Sequence, residues 1–298
     1  MLDGETTLGE VENLSEGLSG SFSLTLEKGE YTLRCNSGED EDGTLTVTGG
    51  TQAQANPAAE AAVAQYRKYL EQNTDELVAT TKPFVAAVVA GEVARAKSLY
   101  PAARAPYERI EPVAESLGDL DPRIDAREND VPAKEFGGFH RIEKALWEEG
   151  TAQGMTPVAE QLHADVEELR QKVKHVELQA AQIANGANEL LGEVSASKIT
   201  GEEERYSHID LVDFEANVAG AEAAFAAVHP LLERQDPELA KEIEAAFEDV
   251  QLALKPHRRG DGFVSYTELT QADTRKLAQE IDALAELLSQ VPARIVGG

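Results

Sequence analysis

The sequence predicts a mainly α protein of antiparallel helical bundles, preceded by a short antiparallel β fragment. Two observations carry this. From Pro57 onward apolar residues recur at intervals of three and four, as in Val158, Leu162, Val166, Leu169, Val173 and Val176, the pattern of helices that bury one face against each other. Between residues 20 and 48, apolar and polar residues instead alternate between glycine-rich turns, the period of strands with one buried face.

The first elements are three strands. Ser21 to Leu26, Tyr31 to Cys35 and Thr44 to Thr48 alternate, with a turn at Lys28-Gly29 and an acidic loop from Asn36 to Gly43. Three strands make a poor independent unit, because one face has no partner layer. Residues 51–56 read as a small polar linker, and Pro57 opens a helix at the first turn, where proline is tolerated. Helices are expected at about 57–90, 92–117, 133–149, 156–198, 208–234, 236–254 and 266–290. They are broken by Gly118, Gly150, Gly201, Pro237 and the Arg258 to Gly262 loop.

The helical part carries a pattern that points to chemistry. His140 and Glu143 stand three apart within Gly137-Gly-Phe-His-Arg-Ile-Glu-Lys-Ala-Leu-Trp147, so on a helix they share a face. An imidazole and a carboxylate pointing the same way form half of a metal site for iron, zinc, copper or manganese. Glu108, Glu111 and Glu115 follow a helical i, i+3, i+7 spacing that stacks three carboxylates on one stripe. On a solvated face such a stripe costs little; in the interior the repulsion is severe unless a cation sits between them. A pocket holding Glu108, Glu111, Asp125 and His140 therefore wants a metal. An exposed histidine beside a solvated glutamate is the bland alternative.

Composition narrows the partners. The 298 residues include 55 acidic and 27 basic side chains, a formal net charge of -28. That field repels nucleic-acid phosphates and raises the local concentration of cations. No stretch reaches the roughly 18 apolar residues of a membrane span. The first residues lack the basic start and apolar core of a signal peptide, so either the protein is cytoplasmic or its export signal is absent from this chain; the resemblance described below implies the second, an extracytoplasmic protein. Cys35 cannot form an internal disulfide, being the only cysteine. A blue-copper site needs two histidines beside the cysteine, and the first histidine is His140. Phe139 and Trp147 read as core residues, and His163, His175, His229 and His257 as surface or helix-end residues.

The text around His140 resembles the GxHxxE signature of the imelysin-like family, and specifically its iron-uptake branch. Tyr107 to Ser116 and Asp119 to Glu128 resemble two acidic blocks of that family, and Arg205 to Val218 a later block; the resemblance runs from about Pro57 to the C-terminus. It implies two four-helix bundles for residues 57–298. Residues 1–50, through Glu30 to Cys35 and Gly43 to Val47, resemble the C-terminal half of a cupredoxin-like domain, and a truncated chain is expected.

The resemblance also implies a metal site drawn from Glu108, Glu111, Asp125, His140, Glu143 and an acidic residue ahead of the later block, taken as Glu203 among Glu202, Glu203 and Glu204. His208, Asp210 and Asp213 are further candidates. The implied function is a non-enzymatic iron-binding protein that captures Fe2+ or Fe3+, with zinc or copper as alternatives. It would pass the metal to an EfeU-type permease, with an EfeB-type haem peroxidase as companion. A metallopeptidase is the alternative that the family's filing suggests, but this chain lacks the HExxH pairing of two histidines with a general base. A metal-dependent binder of anionic glycans is the other.

Overall fold

The structure, a computed structural model, describes residues 1–4, 6–9, 22–34, 42–49, 56–115 and 117–296. Cys35 and Glu39 to Glu41 lie outside the described residues, as does the side chain of Glu115.

The N-terminal part is a small antiparallel sheet of β1 (Leu2–Asp3), β2 (Thr6–Thr7), β3 (Gly29–Leu33) and β4 (Gly43–Val47), in the order β2-β1-β3-β4. The pair β3 and β4 runs in register from Gly29 opposite Val47 to Leu33 opposite Gly43, as the alternation predicts. The expected strand at 21–26 is absent among its described residues: residues 22–27 are irregular, and β1 takes the place beside β3. A five-residue strand gains little from alternation when only Tyr31 reaches a buried position. The N-terminal part touches the helices through segments outside its strands, where Gln182 donates to Leu8 O at 3.2 Å and Asn185 to Ser23 O at 3.0 Å.

The helical part begins with α1 (Pro57–Val89), whose first turn is capped by the Asn56 side chain accepting from Ala58 N at 3.0 Å. There follow α2 (Val93–Glu108), α3 (Glu111–Glu115), α4 (Leu120–Asp125), α5 (Gly138–Trp147) and α6 (Thr156–Val173). The second group is α7 (Ala180–Ala196), α8 (Asp210–Gln235), α9 (Pro237–Leu254), α10 (Gln271–Leu288) and α11 (Val291–Val296). A two-residue hairpin of β5 (Arg258–Arg259) and β6 (Gly262–Phe263) interrupts the helices where a bare loop was expected.

Two expected helices are divided. The span 156–198 breaks after Val173, and α7 starts afresh from a capping box in which Gln179 and Gln182 satisfy each other's backbone donors. The span 92–117 breaks at Arg109 and Ile110. Helix α1 packs on α2 and α6, and α5 on α6, while α7, α8, α9 and α10 pack on one another; α8 also lies against α1 and α2. The two groups share one continuous apolar core. Among the described residues, no helix is long and apolar enough to cross a membrane.

Candidate metal centre

The centre is built at places where helices stop. Pro112 has no amide hydrogen, so the Glu108 carbonyl loses the i+4 donor a continuous helix would supply. The Asn217 amide nitrogen of α8 replaces it at 3.0 Å. That contact needs close approach, and Gly220 permits it: a Cβ there would lie 2.4 Å from Arg109 O. The stripe expected from the 108, 111 and 115 spacing is therefore corrected. Glu108 ends one helix and Glu111 starts the next, yet both are buried and turned to the same point.

A second close approach sets His140. Gly138 has φ of +61°, and a Cβ on it would fall 2.1 Å from the Ile124 carbonyl oxygen. Only glycine takes both the left-handed backbone and the contact without strain. The start of α5 is thereby pressed on the end of α4, which places the imidazole beside Asp125. Phe139 packs into Phe84 and Tyr100 behind it, and Trp147 against Tyr100, the core roles expected for both.

The third contributor is the segment between α7 and α8. A 3-10 turn, Lys198–Thr200, ends at Gly201 in the left-handed region, and the chain then carries Glu203 and Glu204 inward while Glu202 stays exposed. Glu143 holds this segment: its Oε1 accepts from Tyr206 N at 2.8 Å and Ser207 N at 2.7 Å, and its Oε2 faces His140 Nδ1 at 3.3 Å.

All six predicted residues thus converge. Glu108, Glu111, Asp125, His140, Glu143 and Glu203 are each buried, and they fall, with Glu204, into three overlapping groups whose ligand atoms lie within 4.8 Å of one another. One group is Asp125, His140 and Glu203, a second is His140, Glu143 and Glu204, and a third is Glu108, Glu111 and Asp125. His140 Nε2 makes no hydrogen bond, although Asp125 Oδ1 faces it at 3.5 Å and Glu203 Oε1 at 3.3 Å. Metal bonds of about 2.1 Å at tetrahedral or octahedral angles separate ligand atoms by about 3.0 to 3.4 Å, which is close to this spacing.

The charges are balanced from inside. Arg104, fully buried, reaches Glu203 at 2.6 Å, Glu108 at 2.7 Å, Glu204 at 2.8 Å and Asp213 at 2.9 Å, and also Asp125. Lys198 sits between Glu111 at 2.6 Å and Glu108 at 3.2 Å. Burial raises the Asp125 carboxyl to about 6 against the pull of Arg104. It also lifts Glu204 and Asp213 well above the usual carboxylate range, helped at Glu204 by the neighbouring charge of Glu143. Glu203 runs the other way, because Lys198, His140 and Arg104 outweigh its burial and hold it well below that range. Burial and Arg104 oppose protonation of His140, but Asp125, Glu143 and Glu203 prevail and raise it to about 9.

Sequence reasoning missed Arg104, Lys198 and Asn217, and chose Glu203 where both Glu203 and Glu204 turn inward. Arg104 stands four residues before Glu108 on α2, a spacing that signals an ion pair; Lys198 and Asn217 carry no local signal. Of the further candidates, Asp213 pairs with Arg104 and Asp210 accepts from Glu204 N at 3.1 Å, both inside the same network. The side chain of His208 joins none of the three groups. His163 and His229, read as surface or helix-end residues, face Glu167 at 3.6 Å and Glu244 at 3.1 Å near the surface.

Two packed groups of helices enclosing a buried basin of carboxylates and one imidazole define a class of helical protein with an interior built to receive cations. The chain belongs to the imelysin family (Peptidase_M75), whose model matches residues 62–291. It is 41% identical over 300 residues to the iron uptake system component EfeO of Escherichia coli (strain K12), covering 98% of this chain and 80% of that protein. The EfeO of Shigella flexneri gives the same figures, and that of Escherichia coli O1:K1 / APEC is 40% identical over the same length.

Proposed function

We propose that this chain is the extracytoplasmic iron-binding component of an EfeUOB-type uptake system, taking up Fe2+ or Fe3+ and passing it to an EfeU-type permease, with an EfeB-type haem peroxidase as companion. The observation that carries it is the buried His140 Nε2, without a hydrogen-bond partner and facing two carboxylates. The iron-uptake names of relatives 40 and 41% identical support the choice of iron. In this reading Asp125, His140 and Glu203 are the first ligands, with Glu108 and Glu111 on the adjoining side. Glu143 orients the imidazole through Nδ1, since its other oxygen is committed to two backbone donors.

Ions have an approach. A cleft of 210 Å³ is lined by Glu111, Asp125 and Glu203 together with Asp121, Asp130 and Glu193; Arg127 lines it too, paired with Asp130 at 3.1 Å and Glu203 at 3.0 Å, and the excess of carboxylates favours cations over anions. The peptidase alternative has weaker support: among the described residues the three candidate groups hold no histidine besides His140, so the paired histidines of a zinc peptidase are not assembled. Residues 1–50 belong, in the same reading, to a cupredoxin-like part, joined by 51–56 to the helical domain of 57–298. Chelator-stripped protein titrated with Fe2+ under argon and with ferric citrate, in competition with zinc, copper and calcium, tests the assignment. Preferential retention of iron supports it, and failure to bind iron in either state overturns it.

A further inference from the structure

The Glu108 and Glu111 side of the basin already holds a cation, the ammonium of Lys198. Its Nζ lies 2.6 Å from both Glu111 oxygens and 3.2 Å from Glu108 Oε2, and the residue is 2% exposed. Asn217 closes the same point, its Nδ2 donating to Glu108 Oε2 at 3.1 Å and Glu111 Oε2 at 3.0 Å. The Asn217 Oδ1 atom, in a side chain with no exposure, has no hydrogen-bond partner. Two carboxylates around one ammonium, with an Asp125 oxygen in the same group of ligand atoms, make a set of oxygen ligands that suits a metal ion equally well.

We propose that Lys198 is a tethered cation occupying a second metal seat, so that the pocket admits one ion where its ligands would otherwise hold two. This rests on the iron-binding reading above. The lysine is fixed from its own end: the turn Lys198–Thr200 closes at Gly201, where a Cβ would fall 2.8 Å from the Tyr266 ring, and the Tyr266 hydroxyl donates to Ile199 O. A compact ammonium on a flexible stem is a point charge, and it competes directly with any ion seeking the same oxygens. Asp125 borders both seats, since it shares one ligand group with His140 and Glu203 and another with Glu108 and Glu111.

The test uses the full chain, stripped with chelator and loaded with Fe2+ under argon for stoichiometry and with Mn2+ for electron paramagnetic resonance. The parent is expected to take one ion in the basin and to show an isolated Mn2+ signal. Lys198→Met is expected to take two and to show the dipolar broadening of neighbouring ions, while Lys198→Arg stays at one and Lys198→Met with Glu111→Gln returns to one. Where the methionine variant does not fold by circular dichroism, Lys198→Gln, which removes the charge and keeps a donor, is read the same way. A folded, uncharged variant that still binds one ion overturns the proposal. So does a parent that already shows coupled ions, since the lysine would then be displaced rather than excluding. A parent and variants that all bind no ion overturn the iron-binding reading, and the lysine proposal with it.

Discussion

Gly138 and the Ile124 carbonyl stand so close that a single methyl group at position 138 would lie 2.1 Å from that oxygen. This contact, and not the His140 to Glu143 spacing, fixes where the imidazole sits relative to Asp125. Gly138→Ala is expected to cost about 2 to 4 kcal/mol, combining the left-handed backbone penalty with overpacking. Urea unfolding gives the stability and iron titration the affinity; both are expected to fall, and a variant that keeps parental values would show that α4 and α5 adjust freely.

Glu203 and Glu204 are neighbours whose carboxyls are shifted in opposite directions. Glu203 is held ionised by Lys198, His140 and Arg104, whereas burial favours the protonated Glu204. Glu203→Gln is therefore expected to weaken iron binding at pH 7 by tenfold or more, and Glu204→Gln by less than about threefold, because glutamine resembles a protonated carboxyl. Equal losses in the two would sink the distinction.

Acidity acts on uptake through His140. Unperturbed histidine and glutamate would place the loss of binding at roughly pH 4 to 6.5, but His140 is raised to about 9 in the metal-free protein. An ion bound at Nε2 must expel that proton. Affinity is thus expected to climb between about pH 6.5 and 9 by up to tenfold per unit, with a proton released on binding at pH 7 that calorimetry in buffers of different ionisation enthalpy detects. His140→Gln is expected to flatten the profile.

The sign for metal-free stability is the reverse. A pKa raised above the unfolded value of about 6.5 contributes stability that is fully present below pH 6.5 and lost as pH rises through about 9, on the order of 3 kcal/mol. Urea midpoints of stripped protein at pH 6 and pH 9.5 are expected to fall accordingly, and less so in His140→Gln. A stability that rises over this interval would contradict a protonated resting imidazole.

The N-terminal part meets α7 through Gln182 and Asn185, and its described residues supply none of the three ligand groups. Removal of residues 1–50 is expected to leave the helical circular dichroism signal and the iron stoichiometry of 57–298 nearly unchanged. Loss of most iron binding would place a site in the sheet.

The sequence by itself determined the helical class, because apolar residues at every third and fourth position can only be buried together on helices. It also marked the residues that converge, through the three-residue spacing of Glu108 with Glu111 and of His140 with Glu143, and through the resemblance of these blocks and of the one holding Asp125 to the imelysin-like family. Tertiary structure decided the rest. Pro112 divides a helix that periodicity alone would continue, and the Asn217 that repairs the Glu108 carbonyl comes from 109 residues away. Register among Glu202, Glu203 and Glu204 is fixed by the left-handed turn at Gly201, which aims two of them inward. Lys198 and Arg104 look like ordinary surface charges in the sequence. They become the basin's own counter-ions only because folding removes them from water beside carboxylates that must also be compensated, a long-range balance of desolvation and attraction that no local pattern encodes.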